Sequence, residues 1–145
     1  MKVSEIMTKN VSTVSPTDSI QKAAQIMEKV NCGSTPVVEG GKVVGVVTDR
    51  DITIQAIAEG KGPDTPVKVV MFDNVVTCAP SSDARDSANK MAEHQVRRLP
   101  VIDNGKLVGI IAIADLARVN IFTNESGQAL SEISEPSRHS TAVRH

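Results

Sequence analysis

The stretch GKVVG at residues 41–45 returns 64 positions later as GKLVG at residues 105–109. The same shift, without a gap, aligns residues 7–52 with residues 71–116, and 14 of these 46 pairs are identical. Self-similarity at one long, fixed period indicates a supersecondary unit that is used twice. Two units are too few for a solenoid. We therefore expect a closed pair with pseudo-two-fold symmetry, with the seam between its halves as the natural place for a ligand.

Composition limits the classes of function. The 145 residues suit one compact domain, or two halves that are each marginal alone. A net charge of −1 and the absence of Trp and Tyr argue against nucleic acid, which basic patches and stacking aromatic rings recognise. The apolar runs are too short to span a bilayer, and the first residues lack a signal peptide's apolar segment, so we expect a cytoplasmic protein. In that reducing compartment Cys32 and Cys78, which are not equivalent in the repeats, are expected to be free thiols.

Each repeat is predicted to run strand, helix, strand, strand, helix, which gives an α/β (α+β) fold. The first strands are expected at residues 11–14 and 75–78, each closed by a proline. Asp18 and Gln21 resemble a capping box at the start of the first helix. The helical faces, spaced by i, i+3, i+4 and i+7, are Ile20, Ala23, Ala24, Met27 and Val30 in repeat 1 and Ala84, Ala88, Met91 and Ala92 in repeat 2. Hairpins should turn at residues 39–41 and 103–105, and the helix after the first hairpin should end at Gly60.

The repeat also predicts the domain organisation. We expect repeat 1 at residues 1–60, a connecting loop at 61–66, repeat 2 at 67–121 and a C-terminal extension at 122–145. Glycine, proline and charge make the connector a surface loop. In the extension, an amphipathic turn or two formed by Ala129, Leu130 and Ile133 could dock on the body of the protein. After residue 134 we expect the chain to be largely disordered, because nothing there could bury itself.

Two segments carry a resemblance to a known family: LPVID at residues 99–103, with its hairpin up to Gly109, and GVVTDRDI at residues 45–52. Together they resemble a tandem pair of CBS domains, the cystathionine-β-synthase-type regulatory unit called a Bateman module. The resemblance covers residues 1–121, and the chain is especially similar to small stand-alone bacterial CBS pairs. It implies two β-α-β-β-α units packed as a pseudo-two-fold pair, with an adenosyl ligand bound in the cleft between them.

Thr48 and Asp51 lie one helical turn apart, where a strand is expected to run into a helix. Backbone N–H groups at such a helix start can meet an anion, and the Thr48 hydroxyl can add a hydrogen bond to a phosphate. The Asp51 carboxylate can accept two hydrogen bonds from the diol of a ribose. The alternative is that both residues merely cap the helix. Arg97 and Arg98, just before a strand, suit a phosphate, although they could also be a solvated surface pair.

The resemblance implies two unequal sites, each built from both repeats. The first combines Thr48, Arg50, Asp51, Val75, Val76, Thr77, Arg97, Arg98, Leu99 and Pro100. The second combines Val11, Ser12, Thr13, Ser34, Thr35, Pro36 and Asp115. In the second site Ala112 replaces the threonine, and Gly33 and Ser34 stand where the other site has arginines. We therefore expect weaker nucleotide binding there.

No constellation for catalysis or metal binding is evident, since the chain has three His, no Cys-x-x-Cys pair and no G-x-S-x-G elbow. We expect a ligand-sensing regulatory module without catalysis or a resident cofactor. Its ligand would be AMP, ADP, ATP or S-adenosylmethionine, and an effector protein could carry the output. The alternative is a ligand-free assembly module whose sites have decayed. Helices with Ala- and Met-rich faces that one module cannot fully bury predict a homodimer.

Overall fold

The structure is a computed structural model that describes residues 1–119, 129 and 131–133. In chain order its elements are α1 (Val3–Ile6), α2 (Ile20–Val30), β1 (Ser34–Glu39), β2 (Lys42–Thr48), α3 (Asp49–Ile52), α4 (Ala84–His94), β3 (Arg98–Asp103), β4 (Lys106–Ala112) and α5 (Ile113–Ala117). A π-helical stretch, Thr53–Ile57, continues α3, and a 3-10 turn occupies Val67–Val69. Helices accompany two small antiparallel sheets, as the predicted α+β class requires.

Each sheet is a hairpin closed by a two-residue turn. Gly40-Gly41 joins β1 to β2, and Asn104-Gly105 joins β3 to β4. All four turn residues have positive φ, between 50° and 81°, a conformation that glycine and asparagine adopt readily. The two predicted hairpins are therefore confirmed.

The predicted first strands are wrong in extent. Each is reduced to a single parallel bridge, Val14 with Val37 and Cys78 with Val101. The N–H of Val14 donates to Pro36 O and that of Cys78 to Pro100 O, both at 3.1 Å. Because proline has no N–H to donate, a proline two residues further on prevents each ladder from continuing.

The predicted apolar faces of the helices form the cores of the protein. On α4, Ala84, Ala88, Met91 and Ala92 are all buried. On α2, Ile20, Ala23 and Met27 are buried, whereas Ala24 and Val30 are exposed. The Ala- and Met-rich faces expected to be left over for a dimer interface are therefore mostly covered within the molecule.

The start of α2 corrects the predicted capping box. Ser19, not Asp18, is the N-cap, and its hydroxyl accepts the Lys22 N–H at 3.1 Å. The Asp18 carboxylate instead accepts the Ser15 N–H at 2.8 Å, and this hydrogen bond lowers the pKa of Asp18. A serine next to an aspartate leaves the choice of cap open in the sequence, because both residue types cap helices well.

The chain folds as two compact units, and one of them combines segments from both ends of the sequence. Unit 1 contains residues 1–11 and 76–145, and unit 2 contains residues 12–75. Each unit thus holds the hairpin and helices of one repeat, together with the segment that leads into the other repeat.

In both units this leading segment packs on the hairpin against a glycine. In unit 1, Thr8 and Ile110 exchange backbone hydrogen bonds of 2.8 and 2.9 Å. A Cβ on Gly109 would lie 2.6 Å from Met7 Sδ and 2.9 Å from Thr8 O. In unit 2, a Cβ on Gly45 would meet Met71 Sδ at 2.7 Å and Phe72 O at 3.0 Å. The repeated glycine and methionine of the sequence are therefore parts of one packing contact.

We expect Gly109→Ala to lower the free energy of unfolding by about 1–3 kcal/mol, the usual range for overpacking. The Thr8 carbonyl can retreat only by breaking the hydrogen bond that it accepts from the Ile110 N–H. Urea denaturation measures the change, with Gly62→Ala as the control because nothing lies within 4 Å of a Cβ there. Equal midpoints for the two variants would contradict the packing role of Gly109.

The C-terminal extension contributes to unit 1. Ala129 and Ile133 are buried, and Ile133 joins the core that contains Val3, Met91 and Leu99. The side-chain amide of Gln95 donates to Glu132 O at 3.2 Å. Docking of an amphipathic turn is confirmed at these residues, whereas Leu130 and the predicted disorder after residue 134 lie outside the described residues.

Candidate functional site

In unit 2, the turn from β2 into α3 closes on itself. Thr48 Oγ1 accepts the Asp51 N–H at 3.0 Å, and Asp51 Oδ2 accepts the Thr48 N–H at 3.1 Å. This exchange is a reciprocal capping box, which satisfies two donors that the helix start would otherwise leave open. Both residues are buried, at 3% and 2% exposure. The capping role that the sequence left as the alternative is therefore present in the structure.

The backbone of this turn has no N–H group left for an anion. Besides the two donors of the capping box, the Asp49 N–H donates to Gly33 O at 2.9 Å and the Arg50 N–H to Asp49 Oδ1 at 2.8 Å. The expectation of free N–H groups for a phosphate is therefore wrong here.

The equivalent turn in unit 1 keeps only one arm of the cap. Asp115 Oδ2 accepts the Ala112 N–H at 2.9 Å, and Ala112 has no hydroxyl to accept a bond in return. Asp115 Oδ1 lies 3.3 Å from Arg118 Nη1, and the Asp115 side chain is 14% exposed. Asp115 is therefore more open to a ligand than the buried Asp51.

Arg97 and Arg98 lie beside this second turn, in the same unit. Arg98 pairs with Ala112 across the hairpin, and the Ile113 N–H donates to Arg97 O at 2.9 Å. Within the described residues, neither guanidinium takes part in an ion pair. Among the described residues of unit 1, two arginines without an ion-pair partner therefore lie at backbone positions next to the Asp115 turn.

In unit 2 the positions of Arg97 and Arg98 hold Gly33 and Ser34, and Thr35 follows. Ser34 pairs with Thr48 across the hairpin, and Thr35 pairs with Val47. Because successive residues of a strand face opposite sides, Ser34 and Thr48 share one face while Thr35 and Val47 share the other. Thr35 therefore points to the face that carries the core residue Val47, not to the face of Thr48.

The other predicted site residues divide between the units. Unit 2 holds Ser12, Thr13, Ser34, Thr35, Pro36, Thr48, Arg50, Asp51 and Val75, and unit 1 holds Val11, Val76, Thr77, Arg97, Arg98, Leu99, Pro100 and Asp115. Leu99 is wholly buried in the core of unit 1, so its side chain is a packing residue. Lys90 Nζ donates to Thr77 O at 2.8 Å. Each predicted site draws on both units, and both combinations stay predictions.

Thr35 carries a buried hydroxyl without a hydrogen-bond partner. The residue is 1% exposed, and its Oγ1 has no partner among the described residues. Leu99 occupies the equivalent position in unit 1, where an apolar side chain fills the core. An unpaired buried hydroxyl lowers the stability of the fold. The Thr35 side chain therefore fits the core by its size, but its hydroxyl lacks a hydrogen bond.

We expect Thr35→Val to raise the free energy of unfolding by about 1–2 kcal/mol, because valine keeps the shape and removes the unpaired hydroxyl. Denaturant unfolding measures the gain. Thr8→Val, at an exposed position, is the control and should stay within about 0.5 kcal/mol of the parent. A loss of stability in Thr35→Val would show that the hydroxyl has a partner in solution.

Cys32 and Cys78 are both free thiols, and burial raises the pKa of Cys78. In the described ranges, no group of three or more His, Cys, Asp or Glu side chains is placed to hold a metal ion. No helix in that part of the chain has the length and apolarity needed to cross a membrane.

Comparison with known proteins places these observations in a family. The family model of the CBS domain matches residues 3–55 and 67–121. The CBS domain-containing protein YhcV of Bacillus subtilis is 46% identical over 138 residues, which cover 94% of this chain and 98% of YhcV.

Solved structures show the same fold. The CBS domain pair of protein MJ0100, crystallised with 5′-methylthioadenosine and S-adenosyl-L-methionine, has a TM-score of 0.75 and 30% identity, covering 85% of this chain and 98% of that one. Hypoxic Response Protein I, with two coordinated zinc ions, has a TM-score of 0.76 and 33% identity, covering 82% of this chain and 98% of that one.

Proposed function

We propose that this chain, which belongs to the CBS domain family, binds an adenine nucleotide or a related adenosyl ligand and does not turn it over. CBS pairs are regulatory modules, and the MJ0100 pair is seen with two adenosyl ligands. The observation that carries the proposal is in unit 1, where the Asp115 turn occupies backbone positions next to Arg97 and Arg98, which form no ion pair with any described residue.

These groups match the parts of a nucleotide. A carboxylate that is fixed by a backbone N–H can accept hydrogen bonds from the two hydroxyls of a ribose. Guanidinium groups bind phosphate in a bidentate manner, and such charge-assisted hydrogen bonds are stronger than neutral ones. Asp51 is the second ribose-acceptor candidate, and the capping box fixes its carboxylate. The sequence ranked the site that contains Ser34, Thr35 and Asp115 as the weaker one because Ala112 replaces the threonine, whereas the greater exposure of Asp115 favours Asp115 over Asp51. Binding to variants of the two carboxylates decides between these rankings.

Native purification tests the proposal cheaply. The chain has no Trp and no Tyr, so the protein itself absorbs very little in the near ultraviolet. A bound adenine would dominate the absorption spectrum, and mass spectrometry of the released ligand would identify it. If saturating concentrations of adenosyl ligands leave no bound adenine after rapid desalting, and equilibrium dialysis also shows none, the ligand-free assembly module becomes the better account.

We also propose that the chain forms a homodimer, through a surface other than the one the sequence indicated. Among the described residues, the large apolar side chains that are exposed, apart from Met1, lie in unit 2: Val30, Ile54, Ile57 and Val69, at 47–60% exposure. Three of the equivalent positions in unit 1 are polar, namely His94, Arg118 and Glu5. Ile54 and Ile57 both lie in the π-helical stretch Thr53–Ile57, and they are exposed by 50% and 60%.

We expect the parent protein to sediment as a dimer at tens of micromolar, and Ile54→Lys combined with Ile57→Lys to sediment as a monomer. Burying two unpaired lysine charges in an apolar interface would cost much free energy, so the dimer should dissociate. Val43→Lys, at a half-buried strand position of the same unit, is the control for a general loss of folding. A monomeric parent protein, or a dimer that survives both lysines, would contradict this interface.

A further inference from the structure

A short helical segment of the C-terminal extension docks on unit 1. Residues 129 and 131–133, which we call the strap, are helical. Ala129 and Ile133 are 1% and 3% exposed, whereas Ser131 is exposed. Residues four apart lie on the same face of a helix, so one face of the strap is buried in unit 1. A helical segment this short is not stable alone in water, so the strap keeps its helix only while it is docked.

The strap covers one stripe of α4. Ile133 belongs to the core cluster that also contains Ala88, and the side-chain amide of Gln95 donates to Glu132 O at 3.2 Å. Ala92 lies between them on the same helical face, because residues spaced by i, i+4 and i+7 share a face. All three residues of the stripe are buried, at 1%, 7% and 4% exposure for Ala88, Ala92 and Gln95. We call these three residues the α4 stripe.

Unit 2 carries the same stripe uncovered. The shift of 64 residues places Ala24, Glu28 and Asn31 at the positions of the α4 stripe, and all three are exposed. The inner faces of the two helices are alike, since Met27 and Met91 are both buried. The two helices therefore differ on the stripe, and the strap is a described segment that contacts it in unit 1.

We propose that the strap closes a self-association surface, and that a second copy of this chain docks on the α4 stripe when the strap is released. Release removes Ile133 from a core that also contains Met91 and Leu116, so apolar surface becomes exposed. Alanine at residues 88 and 92 lets another helix approach closely, because the side chains at the contact determine the distance between helix axes. The strap is thus an autoinhibitory contact within one chain.

The charge of the stripe favours a second copy as the occupant. In a two-fold contact the same surface of both copies meets, so any charge on it would face its own kind. Ala88, Ala92 and Gln95 carry no charge, and two α4 stripes can therefore meet without repulsion. The equivalent contact of unit 2 would bring together the Glu28 carboxylates of both copies, and like charges at an interface cost free energy. This inference does not depend on ligand binding, and its surface is distinct from the one formed by Ile54 and Ile57.

Ile133→Glu tests the inference in the full chain, because burying an unpaired carboxylate in the core of unit 1 would cost much free energy and so releases the strap. At equal protein concentration we expect this variant to sediment at about twice the mass of the parent protein. Hydrogen exchange at residues 131–133 should become about tenfold faster or more. Ser131→Glu, which adds the same charge at an exposed position of the strap, should match the parent protein in both measurements.

Ile133→Glu combined with Ala92→Glu separates the α4 stripe from other surfaces. The second substitution introduces the residue type that unit 2 has at Glu28, and it places like charges on the proposed contact. We expect the double variant to release its strap and yet to sediment at the mass of the parent protein. A larger mass that persists in the double variant would assign the association to another surface and overturn the inference.

Two results with Ile133→Glu would also overturn the inference. Faster exchange in the strap without a larger mass would show that the uncovered stripe does not self-associate, and unchanged exchange would show that the strap stays docked. If thermal melting shows that Ile133→Glu does not fold, Ile133→Ala replaces it. That milder variant should lower by about tenfold or more the concentration at which the larger species forms, and an unchanged concentration would contradict the proposal.

Discussion

Replacing Arg97 and Arg98 together with alanine is expected to weaken ATP binding by about a hundredfold or more, while adenosine binding stays within about twofold. A hydrogen bond to a charged group contributes about 1.5–3 kcal/mol, and two such bonds at the lower bound already exceed a factor of one hundred. In the proposed site the guanidinium groups contact only the phosphates, so a ligand without phosphate should bind the variant as well as the parent protein. Calorimetry with both ligands measures the difference directly.

The control is Lys9→Ala with Lys106→Ala, which removes two exposed positive charges from the same unit. It should leave ATP affinity within about threefold, because exposed charges at a distance are screened by salt. If the arginine variant loses ATP and adenosine equally, the arginines support the fold of the site and do not bind phosphate. If the lysine variant lost as much ATP affinity as the arginine variant, net charge alone would explain the effect.

Asp51→Ala is expected to lower both the free energy of unfolding and the affinity for the ligand. The variant loses a buried cap and leaves the Thr48 N–H without its acceptor, which together cost about 2–4 kcal/mol of unfolding free energy. Asp115→Ala should cost less, about 1 kcal/mol, because that cap has one arm and its side chain is partly exposed. Urea denaturation of both variants measures the difference.

The ligand affinities of Asp51→Ala and Asp115→Ala can be compared directly, provided that both variants are folded at the assay temperature. The ranking predicted from Thr48 and Ala112 gives a tenfold to hundredfold loss for Asp51→Ala, roughly the worth of a hydrogen bond to a charged group, and much less for Asp115→Ala. Equal losses for every ligand would contradict that ranking. Losses that divide by ligand would instead show that the two carboxylates serve different ligands.

Local sequence signals predicted the hairpins and helices well, because each depends on residues close together in the chain. Asn104-Gly105 fixes a tight turn through its own backbone preference, and Ala84, Ala88 and Met91 fall on one helical face by spacing alone. The identity of Met7 with Met71 was also visible. Gly45 and Gly109 are repeated in the sequence as well. Only the packing shows that Met7 contacts Gly109 and that Met71 contacts Gly45.

The candidate site was less predictable, because its properties depend on which donors are already occupied. The sequence offered Thr48 and Asp51 either as ligand contacts or as caps, and the structure shows that the caps form and use the backbone N–H groups. Asp49 drew no attention in the sequence, since an exposed aspartate in the first turn of a helix is ordinary. Only the structure shows that the missing side chain of Gly33 leaves room for the Asp49 carboxylate, 2.8 Å from where a Cβ on Gly33 would stand.

Titration of the ligand-stripped protein with ATP and with S-adenosylmethionine is the most direct measurement of the central claim. The account predicts saturable binding of at least one of them, and recovery of the ligand chemically unchanged after prolonged incubation. Absence of heat with both ligands, supported by equilibrium dialysis without retained adenine, would contradict ligand sensing. Catalytic conversion of either ligand would contradict a module that binds without turnover.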